Sequence, residues 1–242
     1  MRVALISDIH GNALALDAVL ADIERADVDR VVCLGDVATL GPHPGAVIET
    51  LRRIGCPCIL GNHDAFLIEP ELIRRYTEDA AVVEAVEWCR KQLSREDLDF
   101  LRGFESDLEL PLDGEATLYL FHGSPRSHMQ DLLATTPPDD LDRLLAGRQA
   151  TVMAGGHTHI QMLRQHRGML LVNPGSVGAP FMEYVAGRKP TLMPSAEYAT
   201  VEARDGDVRV DLRRLALDRA QLREAARSCD NPFREMLLKH YA

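Results

Sequence analysis

The chain has 242 residues, of which 46% are hydrophobic, 26% charged and 5% aromatic. That length supports one sizeable core, and the balance of apolar and charged residues excludes both a disordered chain and a membrane-embedded one. A formal net charge of −10 excludes a broad basic face for duplex nucleic acid, because phosphate neutralisation supplies most of that affinity. Short apolar runs follow one another, each ending on a polar residue. Val3-Ala4-Leu5-Ile6 leads into Ser7-Asp8-Ile9-His10. Asn12 can cap a helix through about Ala26, with Leu14, Leu16, Val19, Leu20 and Ile23 on one face. Val31-Val32-Cys33-Leu34 leads into Gly35-Asp36, and Pro44 to Ile54 reads as a second helix, opened by proline and closed near Gly55. Cys58-Ile59-Leu60 reads as a third strand leading into Gly61-Asn62-His63-Asp64. Strand, helix, strand, helix, strand predicts parallel βαβ units.

Ala65 to Asp107 reads as an all-helical insert. It contains an amphipathic stretch from Glu78 to Leu93 and a capping-box-like start at Ser94-Arg95-Glu96-Asp97. With 6 basic and 11 acidic residues it is itself acidic, and its place directly after Asp64 predicts a cap over the pocket that sets substrate size. Beyond it, Leu118-Tyr119-Leu120-Phe121 leads into His122-Gly123, and Val152-Met153-Ala154 into Gly155-Gly156-His157-Thr158-His159. Leu170-Leu171-Val172 leads into Asn173-Pro174-Gly175. Tyr198–Glu202 and Val208–Leu212 flank Asp205-Gly206, a hairpin signal that suggests a second sheet packed on the first. Leu217 to Arg227 and Pro232 to Tyr241 read as closing helices.

The N-terminal apolar run is too short for a signal peptide, and no later stretch approaches the roughly 20 apolar residues of a membrane span. Five cysteines, an odd number, read as free thiols of a reducing compartment, so a cytoplasmic protein without a membrane partner is expected. Cys56-Pro57-Cys58 reads as part of a strand rather than as a metal clip.

In parallel sheets ligands bind outside the carboxyl ends of the strands. The polar endings therefore gather along one edge: Asp8, His10, Asp36, Asn62, His63, His122, His157 and His159, which include five of the nine histidines. Carboxylate and imidazole donors together suit borderline divalent metals. Asp8-x-His10 and His157-x-His159 each place two side chains on one side of an extended segment. Seven candidate ligands are too many for one tetrahedral ion, and fit two ions bridged by a carboxylate with positions left for water and substrate.

Asp8-x-His10, Gly35-Asp36, Gly61-Asn62-His63-Asp64, His122 and Gly156-His157-x-His159, in this order, resemble the calcineurin-like metallophosphoesterases, and within them the small bacterial phosphodiesterase branch. The resemblance spans Met1 to about Gly178. It implies an α/β fold, a four-layer αββα sandwich of two mixed β-sheets, forming a single domain over 1–242 with a small helical cap insert at about 65–107. It also implies that Asp8, His10, Asp36 and His159 hold one metal, and that Asp36, Asn62, His122 and His157 hold the second. His63 is then a catalytic residue beside the scissile phosphate, donating a proton to the leaving oxygen. The cofactors expected are two divalent metal ions, Mn, Fe, Zn, Ni or Co, with Mn favoured. The Asp-Arg-Gly that follows Gly-Asp in protein serine/threonine phosphatases is replaced here by Val37-Ala38-Thr39, which argues against that activity.

The expected function is hydrolysis of a small phosphate ester, a phosphodiester rather than a monoester, by a hydroxide held between two ions with a histidine proton donor. Asn12, Arg126 and Asn173 are weaker candidates for substrate contact; capping, a solvated loop and turn chemistry are their structural alternatives. Two other readings are a non-catalytic metal-binding scaffold of the same fold, and a nuclease acting on short oligonucleotides. His63 and the full ligand set speak against the first, and the acidic insert disfavours a long polynucleotide track.

Overall fold

Alternation along the first strand sets the architecture. In β1 (Arg2–Ile6), Val3 and Leu5 face one way and Ala4 and Ile6 the other, and all four are fully buried in the computed structural model, which describes residues 1–184 and 189–242. Helix α1 (Ala13–Arg25) crosses back to β2 (Arg30–Cys33), parallel to β1, and α2 (Pro44–Ile54) follows. Ala4 and Ile6 pack on these helices with Leu16, Val19, Ile48 and Leu51. Asn12 caps α1 as expected, accepting from the Ala15 amide at 3.2 Å.

Cys58-Ile59-Leu60 does not form a full strand. It makes single parallel bridges, Cys33 to Cys58 and Ile59 to Glu105, so its backbone hydrogen bonds are divided between two neighbours. The insert is helical: α3 (Asn62–Ile68), a 3₁₀ turn (Pro70–Leu72), α4 (Ile73–Tyr76), α5 (Ala80–Lys91) and α6 (Arg95–Arg102). It begins three residues earlier than expected, so Asn62 and His63 stand on the first turn of a helix. Phe66, Leu67, Val83, Val86 and Leu101 are buried in the same core as α1 and α2, so these helices complete the outer layer.

The second sheet comes from the middle of the chain: β3 (Leu108–Pro111) and β4 (Thr117–Leu120), then α7 (Pro138–Leu145), β5 (Val152–Ala154), β6 (Met162–His166) and β7 (Met169–Asn173). Its strand order is β3-β4-β5-β7-β6. Leu118, Leu120, Val152 and Val172 meet Val3 and Leu5 between the sheets, while Tyr119, Phe121 and Met153 pack outward with Leu141 and Leu145 of α7. The late hairpin, β8 (Ser195–Arg204) and β9 (Asp207–Ala216), corrects an expectation. It does not found the second sheet, because β8 pairs antiparallel with β1 and completes a first sheet of order β2-β1-β8-β9. Seven of the first seven residues of β8 are buried, which requires cover on both faces, and only the sheet interior provides it. Helices α8 (Arg219–Arg227) and α9 (Arg234–His240) close the chain against α5 through Leu222, Phe233, Leu237 and Ala85. Two mixed sheets thus lie between helical layers. Among the described residues no helix is long and apolar enough to cross a membrane.

Candidate metal centre

The polar endings converge as expected. Backbone hydrogen bonds run the loop after β1 along the loop after β2, from Asp8 N to Gly35 O (2.9 Å), His10 N to Asp36 O (3.0 Å) and Gly11 N to Val37 O (2.8 Å). The loop after β5 is tied in by His157 N donating to Asp8 Oδ2 (3.1 Å) and Gly156 N to His122 O (2.8 Å). The loops approach so closely that a methyl group on Gly61 would collide with the Asp36 carboxylate, and one on Gly156 with Ser7 and Asp8. Asp8, His10, Asp36, His157 and His159 all have positive φ, between 46° and 69°. L-residues adopt this left-handed region at a cost, and clusters of it mark functional sites.

Two three-residue groups result, Asp8 with His10 and His159, and Asp36 with His122 and His157. Asn62 joins the second, its Oδ1 lying 3.0 Å from His122 Nε2 and 2.9 Å from His157 Nδ1. Asp36 links the groups: its Oδ2 lies 3.4 Å from His122 Nε2 and 3.9 Å from His10 Nε2. His63 lies beside both, with its amide donating to Asp36 Oδ1 at 2.8 Å. Its ring stands edge-on to His10, 5.0 Å between centroids, and against Phe66 at 5.1 Å.

Hydrogen bonds on the far side of each ring turn these candidate ligands inward. His122 Nδ1 donates to Leu34 O at 2.7 Å and His159 Nδ1 to Ala179 O at 2.7 Å, while His10 Nδ1 lies 3.0 Å from Thr39 Oγ1. In the neutral tautomer each Nε2 then presents a lone pair to the centre. Asp64 performs the same service for the backbone, accepting from the amides of Asp36 (2.7 Å), Val37 (2.9 Å) and Gly61 (3.0 Å). Burial, with the nearby Asp36 charge, pushes its carboxyl up to about 7.

This donor set fits divalent cations. Asp8 Oδ1 is buried without a hydrogen-bond partner, and the Nε2 atoms of His10 and His159 converge to 3.0 Å. Two facing lone pairs beside an unpaired carboxylate oxygen call for positive charge. Burial opposes a charged His122, yet Asp36 and Asp8 lift its imidazole to about 10, so protons are drawn in where no other cation balances the carboxylates.

The weaker candidates fall elsewhere. Asn12 spends both polar atoms on the fold, capping α1 and donating to Gly178 O at 3.1 Å. Arg126 is exposed and donates to Arg143 O at 3.4 Å, outside the cluster. Asn173 is a positioning residue: it donates to Gly156 O (2.7 Å) and Thr158 Oγ1 (3.0 Å), bracing the segment that carries His157. Asp131 joins the site from the loop after β4. It lies 3.3 Å from His157 Nε2 and also accepts from the Tyr184 hydroxyl, so His157 turns Nδ1 to the centre. A lone acid in an irregular loop gives no sequence signal. Asp131→Ala should weaken metal affinity about 10-fold, the lower end for such an outer partner because Asp131 is 42% exposed; competition with a chelator measures it.

A crystal structure of a metallophosphoesterase from Sphaerobacter thermophilus is 26% identical, covers 100% of this chain and 98% of its own, and superposes with a TM-score of 0.75. A hypothetical protein from Pyrococcus horikoshii OT3 shares the fold at a TM-score of 0.80 and 20% identity, over 98% of this chain and 96% of its own. An uncharacterized protein of Methanocaldococcus jannaschii is 30% identical over 193 residues, 74% of this chain and 76% of that protein. The family model described as a calcineurin-like phosphoesterase superfamily domain matches residues 1–201. The chain therefore belongs to the calcineurin-like phosphoesterases, and is a metal-dependent hydrolase of phosphate esters.

Proposed function

We propose that the enzyme hydrolyses a small phosphodiester with two divalent ions, manganese favoured. Asp8, His10, Asp36 and His159 would hold one ion, and Asp36, Asn62, His122 and His157 the other. The observation that carries this reading is Asp36, whose Oδ2 lies within 4 Å of a histidine of each group. Such ions supply a water of lowered pKa and neutralise charge on the phosphate oxygens. The chain's own residues do the rest. Asp8 and Asp36 bring negative charge that only cations can balance. His122, His157 and His159 are locked in rotation by their outer hydrogen bonds.

His63 is the proton donor to the leaving oxygen, since its ring faces the centre and its Nδ1 has no other partner. Burial holds its imidazole down at about 4, below the ordinary value, with Asp36 opposing. An anionic ester beside the ring raises that value again, so the proton is carried when substrate is present. The diester preference rests on charge: the cationic partners of Asp8 and Asp36 among the described residues are histidines, with no lysine or arginine. A singly charged diester asks less of such a site than a doubly charged monoester. The test is metal-stripped enzyme reloaded with Mn, Fe, Co, Ni or Zn and assayed on bis(p-nitrophenyl) phosphate and p-nitrophenyl phosphate. Two ions per chain and a larger kcat/KM for the diester are expected; one ion per chain, or a faster monoester, overturns the reading.

A further inference from the structure

A cavity of about 300 Å³ opens directly off the centre, sharing His10, His63 and His159 as one wall. Its other walls are mainly apolar: Leu40, Val82 of α5, Leu192, and Phe233, Leu237 and Tyr241 at the C-terminal helix. Helix α9 lies beyond residue 201, where the match to the family model ends, so this wall is not part of the matched family core.

Two of the polar side chains that reach the cavity, Asn12 and Asp79, are engaged by the fold. Asn12 is used at both ends. Asp79 caps α5 by accepting from Ala81 N at 3.1 Å, and pairs with Lys189 at 2.8 Å. Lys189 is the one lysine or arginine lining the cavity among the described residues, and its side chain is 72% exposed. Tyr76 and Tyr241 contribute rings with neutral phenols, burial pushing Tyr241 up to about 12. A substituent with several hydrogen-bonding edges would find few partners here beyond the two phenols and would be desolvated at a cost. A group that is apolar loses nothing, and the volume is about twice the 150 Å³ that accommodates benzene, or roughly a dozen non-hydrogen atoms.

We propose that this cavity receives the organic substituent of the ester next to His63, and that the substituent is apolar, an alkyl or aryl group, rather than a nucleoside. The assignment rests on the phosphodiester hydrolysis proposed above. Because α5 forms one wall and its Val83 and Val86 lie in the main core, the insert shapes the cavity but cannot be deleted without opening that core.

The test uses n-alkylphosphonates from methyl to octyl, titrated calorimetrically into manganese-loaded enzyme. Affinity should rise about 4-fold per added methylene, the equivalent of about 0.8 kcal/mol. In Leu237→Asp the dependence on chain length should collapse, while Leu237→Met should keep it; near-UV and far-UV circular dichroism reports folding of both. Affinity independent of chain length, or adenosine 5′-phosphonate binding more tightly than octylphosphonate, overturns the proposal. Failure of the underlying reading looks different: phosphonates bind with the expected slope, yet no ester is hydrolysed with any metal.

Discussion

Asp36→Asn should lower kcat/KM for a phosphodiester by about 10⁴-fold, the equivalent of about 5.5 kcal/mol, and should release both ions rather than one. The substitution conserves shape and removes one charge. That charge is shared: Asp36 Oδ2 lies 3.4 Å from His122 Nε2 and 3.9 Å from His10 Nε2, so it belongs to neither group alone. Asp64 is no substitute, because both its oxygens are taken by backbone amides. An asparagine in place of Asp36 must also keep an acceptor toward the His63 amide, which turns its NH₂ group into the centre and repels cations. Metal content by mass spectrometry alongside steady-state kinetics decides the matter. A variant that keeps two ions with activity within tenfold of the parent would show that Asp36 does not bridge.

His63→Ala should lower kcat by about 10³-fold with both ions retained, within the range of a single general acid. Its ring makes no hydrogen bond to a ligand, and its Nδ1 is buried without a partner, so removing it leaves the ligand geometry standing. The loss should depend on the leaving group. p-Nitrophenolate departs without a proton and should suffer least, whereas an alkoxide needs one and should suffer most. Equal loss for both, or loss of metal, would assign His63 a different role.

The candidate ligands are legible because donor chemistry is local. Asp-x-His, Gly-Asp, Gly-Asn-His and His-x-His each carry donor types that a strand end can present, and every one of them reaches the cluster. The parallel βαβ start was legible for a similar reason, since β1, α1 and β2 are neighbours in sequence and in space. The sheet that holds the hairpin at residues 195–216 is not legible, because its turn is local while its partner, β1, lies nearly two hundred residues away. Cys58-Ile59-Leu60 has strand composition, but its partners Cys33 and Glu105 lie on different segments, and no periodicity reports that. Asp131 and the α9 wall were invisible because each acts through tertiary contact alone.

The left-handed backbone at Asp8, His10, Asp36, His157 and His159 has a consequence for the molecule as a material. At roughly 1 kcal/mol each, these five conformations together withhold roughly 5 kcal/mol, comparable with the whole folding margin of a small domain. The apolar cores between the sheets and outside them must supply that difference before any ion arrives. Ions that bind only the folded chain then return it through mass action. Ion binding should therefore raise the melting temperature of the loaded enzyme above that of the metal-free chain, a difference that calorimetry on the two forms measures.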